Sequence, residues 1–314
     1  ARCVRAAEVI YYHYSSEISA RVGGGGAPMV TVHTKLISLL GYPLVQTFAP
    51  QMFNRTFQEL GMDYFYFPIE VEQDKLGTIV QAIRCMNYAG FNVTKPNKTA
   101  ILQYLDELDE LAATIGSVNV VVIRDGVLRG YNTDGVGFVQ AFRDERAEAF
   151  DDLSFLILGA GGASRAISTT LASEGVKELT IIDQYDDASR SLTESINTKV
   201  RACARFVPFA GAPMSELLQK ADVLVNATGI GMPPHLERTP VEKELLYSEL
   251  LVIDITYNPP RTRLLQDAEE KGCPVMNGIG MAINQGITGF ALMTGEPEPA
   301  EIMTRVMHEI VDAR

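Results

Sequence analysis

Cysteine and histidine are both scarce in this 314-residue chain, with four of each. Cys3, Cys85, Cys203 and Cys273 are scattered and form no C-x-x-C pair. That spacing gives no disulfide framework and fits a reduced, cytosolic protein. His13, His33, His235 and His308 stand at no metal-ligand spacing with cysteine or acid, so no metal is expected. A general base must then be sought among other residue types. Positive charge is also short: 27 Lys and Arg face 39 Asp and Glu, a net charge of −12. A nucleic-acid or anionic-membrane partner is disfavoured, because its phosphates would repel the chain. No apolar run approaches the ~20 residues of a membrane span, and Val9-Ile10-Tyr11-Tyr12 is too short for a secretory core. No internal repeat is apparent.

What is present is ample apolar material, 46% of residues, in a length comfortable for two domains. The most informative stretch is Phe155-Leu156-Ile157-Leu158 followed by Gly159-Ala160-Gly161-Gly162-Ala163-Ser164 and an apolar helical pattern from Ala166. A buried strand, a glycine turn and a helix start place backbone N–H groups and a helix dipole where a diphosphate can approach. The spacing is close to G-x-G-x-x-G, with Ser164 at the third glycine position. Leu179 to Ile182 reads as the next strand and leads to Asp183, near the ~20-residue separation at which an acid binds an adenine ribose. Asp186 and Asp187 add negative charge, which would repel a 2′-phosphate. The sequence therefore predicts NAD rather than NADP.

The rest of the chain alternates strands and helices. Residues 1–29 form an N-terminal extension ending in a Gly-rich linker, Gly23 to Pro28. Strands are expected at 34–41, 64–69 and 90–94, with helices at 50–60, 76–86 and about 98–113. Residues 118–123 and 127–131, split by Asp125-Gly126, read as a hairpin. Arg143 to Asp152 reads as a solvated helix end or linker. Beyond the glycine turn, five or six strands alternate with helices, and two apolar-faced helices close the chain. The fold class is α/β with two domains: an N-terminal α/β domain with a mainly parallel sheet (30–134 plus 281–314) and a Rossmann-like, doubly wound dinucleotide-binding domain (135–280).

Three upstream motifs carry polar residues that the fold alone does not require. In Asn92-Val93-Thr94-Lys95-Pro96-Asn97-Lys98, the proline suits a strand-to-helix loop that presents Lys98. A lysine partly desolvated in a cleft can exchange a proton with a hydroxyl. Asn132-Thr133-Asp134-Gly135 is either a plain Asx turn or the carrier of an acid, Asp134, that pairs with Lys98. In Ser117-Val118-Asn119 the Asn119 amide either binds a substrate hydroxyl or satisfies the backbone.

Together these motifs resemble the shikimate/quinate dehydrogenase family over about residues 35–307. The further pieces, in the family's order, are Gly41-x-Pro43, Asn226-Ala227-Thr228-Gly229-x-Gly231-Met232, Tyr257-Asn258-Pro259, Gly278-x-Gly280-Met281 and Gln285. The resemblance implies reversible, dinucleotide-linked oxidation of a ring secondary alcohol of quinate or shikimate, with Lys98 and Asp134 as the catalytic pair. It also implies that Thr94, Asn119, Tyr257 and Gln285 line the substrate pocket. Asn226, Thr228, Gly231, Met232, Gly278 and Met281 are expected near the cofactor, beside Gly159, Ala160, Gly161, Gly162, Ala163 and Asp183. The acid at 183 is similar to the NAD-using, catabolic branch. A monomer or homodimer is expected, with a small cyclic hydroxy acid as its only partner.

One departure stands out. The family offers Ser-x-Ser after Gly-x-Pro for the substrate carboxylate, whereas here Thr47 keeps a hydroxyl and Ala49 has none. Either another donor such as Gln46 or Tyr42 compensates, or the substrate is a different cyclic hydroxy acid. A non-catalytic ligand sensor on the same fold is the remaining alternative. The presence of both Lys98 and Asp134 and the lack of a basic DNA-binding segment argue against it.

Overall fold

The computed structural model describes residues 30–45 and 47–313; the N-terminal extension, its linker and Gln46 lie outside the described residues. Two six-stranded sheets organise the chain.

The first sheet contains β1 (Lys35–Gly41), β2 (Tyr64–Glu70), β3 (Tyr88–Val93), β4 (Glu107–Leu108), β5 (Val120–Arg124) and β6 (Val127–Tyr131). Its order is β2-β1-β3-β5-β6-β4. β2, β1 and β3 run parallel, while β5 and β6 are antiparallel and form the expected hairpin. Helices α1 (Ala49–Glu59) and α2 (Leu76–Arg84) connect the parallel strands. α1 buries Met52, Phe53 and Phe57, residues spaced to share one helical face.

The expected helix over 98–113 does not form. Lys98 sits in a turn, Ala100–Tyr104 makes a short 3-10 run, and the only α-helix here is α3 (Glu110–Ile115). Acidic side chains that bond remote and neighbouring backbone and charge break the pattern. Asp106 accepts from the Leu128 N–H and pairs with Arg84, while Asp109 caps α3 by accepting from the Leu111 N–H.

The second sheet follows α4 (Asp134–Glu145). Its strands are β7 (Ser154–Leu158), β8 (Glu178–Ile182), β9 (Ala204–Phe206), β10 (Val223–Asn226), β11 (Leu251–Asp254) and β12 (Val275–Met276). They run parallel in the order β12-β11-β10-β7-β8-β9. α5 (Gly162–Ser173), α6 (Asp186–Lys199), α7 (Met214–Gln219) and α8 (Arg263–Glu270) connect them. The chain leaves β7 toward one edge, then returns to start β10 on β7's other side. That reversal opens a crevice at the carboxyl ends of β7 and β10, where doubly wound sheets bind ligands.

α9 (Ile279–Thr294) and α10 (Ala300–Asp312) close the chain. α9 starts beside the second sheet, where Met281 joins its core, and then lays Ile283, Ile287, Phe290 and Met293 on the first. Arg124 donates to the Met293 carbonyl at 2.9 Å, a cation placed at the negative end of the helix. One helix thereby ties both cores together.

The first core also contains a phenol, Tyr66, stacked on Phe53 at 4.6 Å and donating to Asn92 Oδ1 at 3.0 Å. Burial holds the Tyr66 hydroxyl well above the usual 10.0. Above pH 10 the unfolded chain loses this proton and the folded chain keeps it. The stabilisation is complete below that value and is lost as pH rises, by about 1.4 kcal/mol per pH unit per such group. Unfolding midpoints between pH 8 and 12 should therefore fall steeply on the alkaline side, and less steeply in Tyr66→Phe. Superimposable alkaline limbs would refute the assignment.

Candidate active site

The carboxyl end of β3 delivers the turn that carries Lys98. Val93 N–H donates to the Asn119 carbonyl at 2.8 Å and Thr94 N–H to the Leu40 carbonyl at 2.9 Å. Asn97, fully buried, donates from Nδ2 to the Val71 carbonyl at 2.9 Å. The Lys98 carbonyl accepts from the Val118 N–H at 2.9 Å. With its backbone pinned on both sides, Lys98 directs its ammonium to Asp134 Oδ2 at 2.5 Å. The Lys98 side chain is 17% exposed and that of Asp134 5%, so the pair is largely out of water and what access there is comes through the lysine.

Asp134 is the first residue of α4, where the helix dipole favours a carboxylate. Its Oδ1 accepts from Asn119 Nδ2 at 2.9 Å, and its N–H donates to Asn132 Oδ1 at 3.0 Å. Asn119 Nδ2 also reaches Thr133 Oγ1 at 2.9 Å and Gln285 Oε1 at 3.2 Å. Thr133 Oγ1 donates to the Gln285 carbonyl at 3.0 Å. Lys98, Asn119, Asp134 and Gln285, expected together, are thus one connected network. Asn119 does more than the sequence suggests, because it fixes the carboxylate oxygen that Lys98 does not take. Thr94 lies at the head of the same turn, half-buried.

Tyr257 approaches from the turn after β11. Its hydroxyl hydrogen-bonds Thr47, and its ring lies 5.4 Å from that of Phe48. Burial raises the Tyr257 phenol, against the pull of the Thr47 bond, so it stays a neutral donor through ordinary pH. Thr47 Oγ1 also accepts from the Ala49 N–H at 3.2 Å. Tyr42, the other compensating donor considered above, is exposed, and Gln46 is not among the described residues.

The glycine turn faces this site. Gly159 has φ of +104°, and a Cβ there would lie 2.8 Å from the Ala227 carbonyl oxygen, so only glycine fits between the ends of β7 and β10. A Cβ on Gly162 would lie 3.1 Å from Lys98 Cβ and 3.0 Å from Ser117 Oγ. The start of α5 therefore abuts the Lys98 turn directly. No side chain caps α5, and a Cβ on Gly161 would meet nothing within 4 Å. An uncapped helix start with open space beside Gly161, next to Ala160 and Ala163, fits the diphosphate of a dinucleotide.

The remaining predicted residues fall at the end of β10 and in the segments that follow β10 and β12. Asn226 is buried at the end of β10, and its Oδ1 accepts from Thr228 N at 3.1 Å and Thr228 Oγ1 at 2.6 Å. Gly231 and half-buried Met232 complete that turn. Gly278 donates to the Thr256 carbonyl at 3.0 Å. Met281 faces the nucleotide-side core.

Asp183 differs from expectation. It lies just past β8, half-buried, and each carboxylate oxygen accepts a backbone amide. Oδ2 accepts from the Ala160 N–H at 2.7 Å and Oδ1 from the Tyr185 N–H at 2.8 Å. The carboxylate holds the glycine turn in shape. The sequence also gives no prominence to Asp254, Thr256 and Thr262, which join Asn226 in a buried network. An acid ending an apolar strand at the sheet's carboxyl edge is the signal that marks Asp254.

Comparison with known proteins bears directly on this geometry. Residues 39–121 match the model of the shikimate dehydrogenase substrate binding domain, and residues 143–264 that of shikimate / quinate 5-dehydrogenase. Shikimate dehydrogenase (NADP(+)) of Alkaliphilus metalliredigens is 41% identical over 280 residues, 88% of this chain and 98% of the relative. A shikimate 5-dehydrogenase from Listeria monocytogenes, solved with shikimate and NAD, shares 37% identity at a TM-score of 0.80, covering 90% of this chain and all of that one. A shikimate dehydrogenase in complex with NADP+ shares 34% at 0.82, covering 92% and 99%. The expected NAD preference is overturned. The curated relatives are named for NADP(+), and one of the solved neighbours is in complex with NADP+.

Proposed function

The chain belongs to the shikimate/quinate dehydrogenase family, and from that premise we propose that it catalyses the reversible, NADP-linked oxidation of the ring secondary alcohol of shikimate to 3-dehydroshikimate. The observation that carries the reading is the contact between Gly162 and Lys98, which sets the dinucleotide turn against the acid–base pair. A nicotinamide bound in the crevice supplies the hydride acceptor. In its neutral amine form Lys98 takes the hydroxyl proton as the alcohol is oxidised, and the ammonium so formed returns it in the reverse direction. Asp134 holds the Lys98 amine on the reacting hydroxyl. Asn119 holds Asp134, and Asn119 and Gln285 offer amide groups to the substrate's other hydroxyls. Tyr257 and Thr47 face its remaining end, and apposition of the two lobes excludes water.

The test is the initial rate with shikimate and with quinate, each offered with NADP+ and with NAD+. Turnover with NADP+ supports the reading, and the faster acid names the substrate. No turnover of either acid by a sample that binds NADPH would sink it.

Ala49 favours a second reading, a related cyclic hydroxy acid that makes less use of this end of the pocket. Ala49→Ser discriminates between the two. A hydrogen bond to a charged group contributes about 1.5–3 kcal/mol, about 10- to 150-fold in affinity. A fall of that size in the shikimate KM, at constant kcat, supports shikimate. An unchanged KM supports the second reading.

A further inference from the structure

At the carboxyl edge of the second sheet, one carboxylate lies wholly out of water and takes no part in the mechanism above. Asp254 ends β11, is 0% exposed, and sits directly beside Asn226 in the parallel register. Its Oδ2 accepts from Asn226 Nδ2 at 2.9 Å and from Thr262 Oγ1 at 2.8 Å. Its Oδ1 accepts from the Thr256 N–H at 3.0 Å. Thr262 is itself the N-cap of α8, so the carboxylate is anchored to a rigid element.

From Asp254 two chains of hydrogen bonds diverge. One passes through Asn226 to the N–H and hydroxyl of Thr228, and on through Thr228 Oγ1 to the Ile230 N–H at 3.0 Å. Asn226 Nδ2 also reaches the Ile230 carbonyl at 3.2 Å. This chain shapes the turn on the dinucleotide side. The other passes through Thr256, whose carbonyl accepts from the Gly278 N–H at 3.0 Å, to the turn that sends Tyr257 across to Thr47 and Phe48. A buried carboxylate that loses one of its donors is costly, so loosening either turn weakens the anchor that the other shares.

We propose that Asp254 is a positioning residue that couples the two halves of the site, so that ordering the 228–230 turn around a dinucleotide also orders the Tyr257 turn toward substrate. The proposal rests on the dinucleotide reading for the identity of one ligand, but the coupling itself resides in the protein. Burial pushes the Asp254 carboxyl upward, while the Thr256, Asn226 and Thr262 bonds pull against it. The coupling is reciprocal: each ligand tightens the other by the same factor, about 5- to 150-fold in coupled systems of this kind.

Asp254→Asn tests it, because the amide presents a donor where Asn226 Nδ2 already donates. In the ligand-free protein, hydrogen exchange at Thr228, Ile230 and Thr256 should accelerate together by about tenfold or more. The shikimate dissociation constant, measured with and without NADP+, should lose its dependence on the dinucleotide while each ligand still binds alone. Thr228→Val, at an exposed position, removes only the two hydroxyl bonds of the dinucleotide arm, to Asn226 and from Ile230. It should accelerate exchange at Ile230 without touching Thr256, and should also weaken the coupling. Acceleration of one turn alone in Asp254→Asn, or a coupling factor unchanged in either variant, would overturn the proposal. Failure of the unmodified protein to bind NADP+ at all would instead remove the dinucleotide reading, and the exchange result would still decide the linkage.

Discussion

Lys98→Met lowers kcat by about 10²- to 10⁴-fold and leaves the NADP+ dissociation constant nearly unchanged. That range is what a positioned proton acceptor contributes to a transition state. The methionine keeps the length of the side chain and removes the amine, and Gly162 still packs on an aliphatic stem. Binding of the dinucleotide depends on the α5 amides rather than on the lysine charge, so the loss should appear in kcat. Stopped-flow rates with saturating shikimate, alongside NADP+ titration, separate the two quantities. Retention of more than about a tenth of wild-type kcat would remove Lys98 from the proton path.

Asp134→Ala carries the second large effect, on rate and on stability together. Lys98 and Asp134 are a largely buried pair, and deleting one partner leaves the other charge uncompensated at a cost of about 3–5 kcal/mol. Asn119 Nδ2 loses an acceptor at the same time. The denaturation midpoint should fall markedly at pH 7, and kcat should fall by about 10²-fold or more as Lys98 loses its orientation. Asp134→Asn separates the terms. The amide oxygen still accepts from Asn119, but its NH2 faces the lysine, so only about 0.5–1.5 kcal/mol of the stability returns while the rate stays low. Equal recovery of both in Asp134→Asn would show that Lys98 needs no carboxylate beside it.

The sequence by itself determined the elements whose causes are local. Phe155-Leu156-Ile157-Leu158 and the glycines after it specify a strand, a sharp turn and a helix start from neighbouring residues alone. The Met52, Phe53 and Phe57 spacing specifies the buried face of α1 in the same way. The motifs around Lys98, Asn119 and Asp134 were legible because each is a short run of turn and amide residues.

Tertiary structure decided what depends on partners distant in the chain. Local periodicity favours a helix over 98–113, but bonds from Asp106 to Arg84 and to the β6 backbone replace it with turns. The residue type at 183 is compatible with a ribose contact. The fold also brings the Ala160 amide within 2.7 Å, so the carboxylate braces the glycine turn, a role its residue type does not announce. Asp254 reads as the end of an apolar strand. Only the register of β10 against β11, 28 residues apart at Asn226 and Asp254, makes it the junction of the site. Chain neighbours fix backbone preference and burial pattern. Which lone pairs remain free for a ligand is settled only when remote strands align and their end groups compete for the same donors.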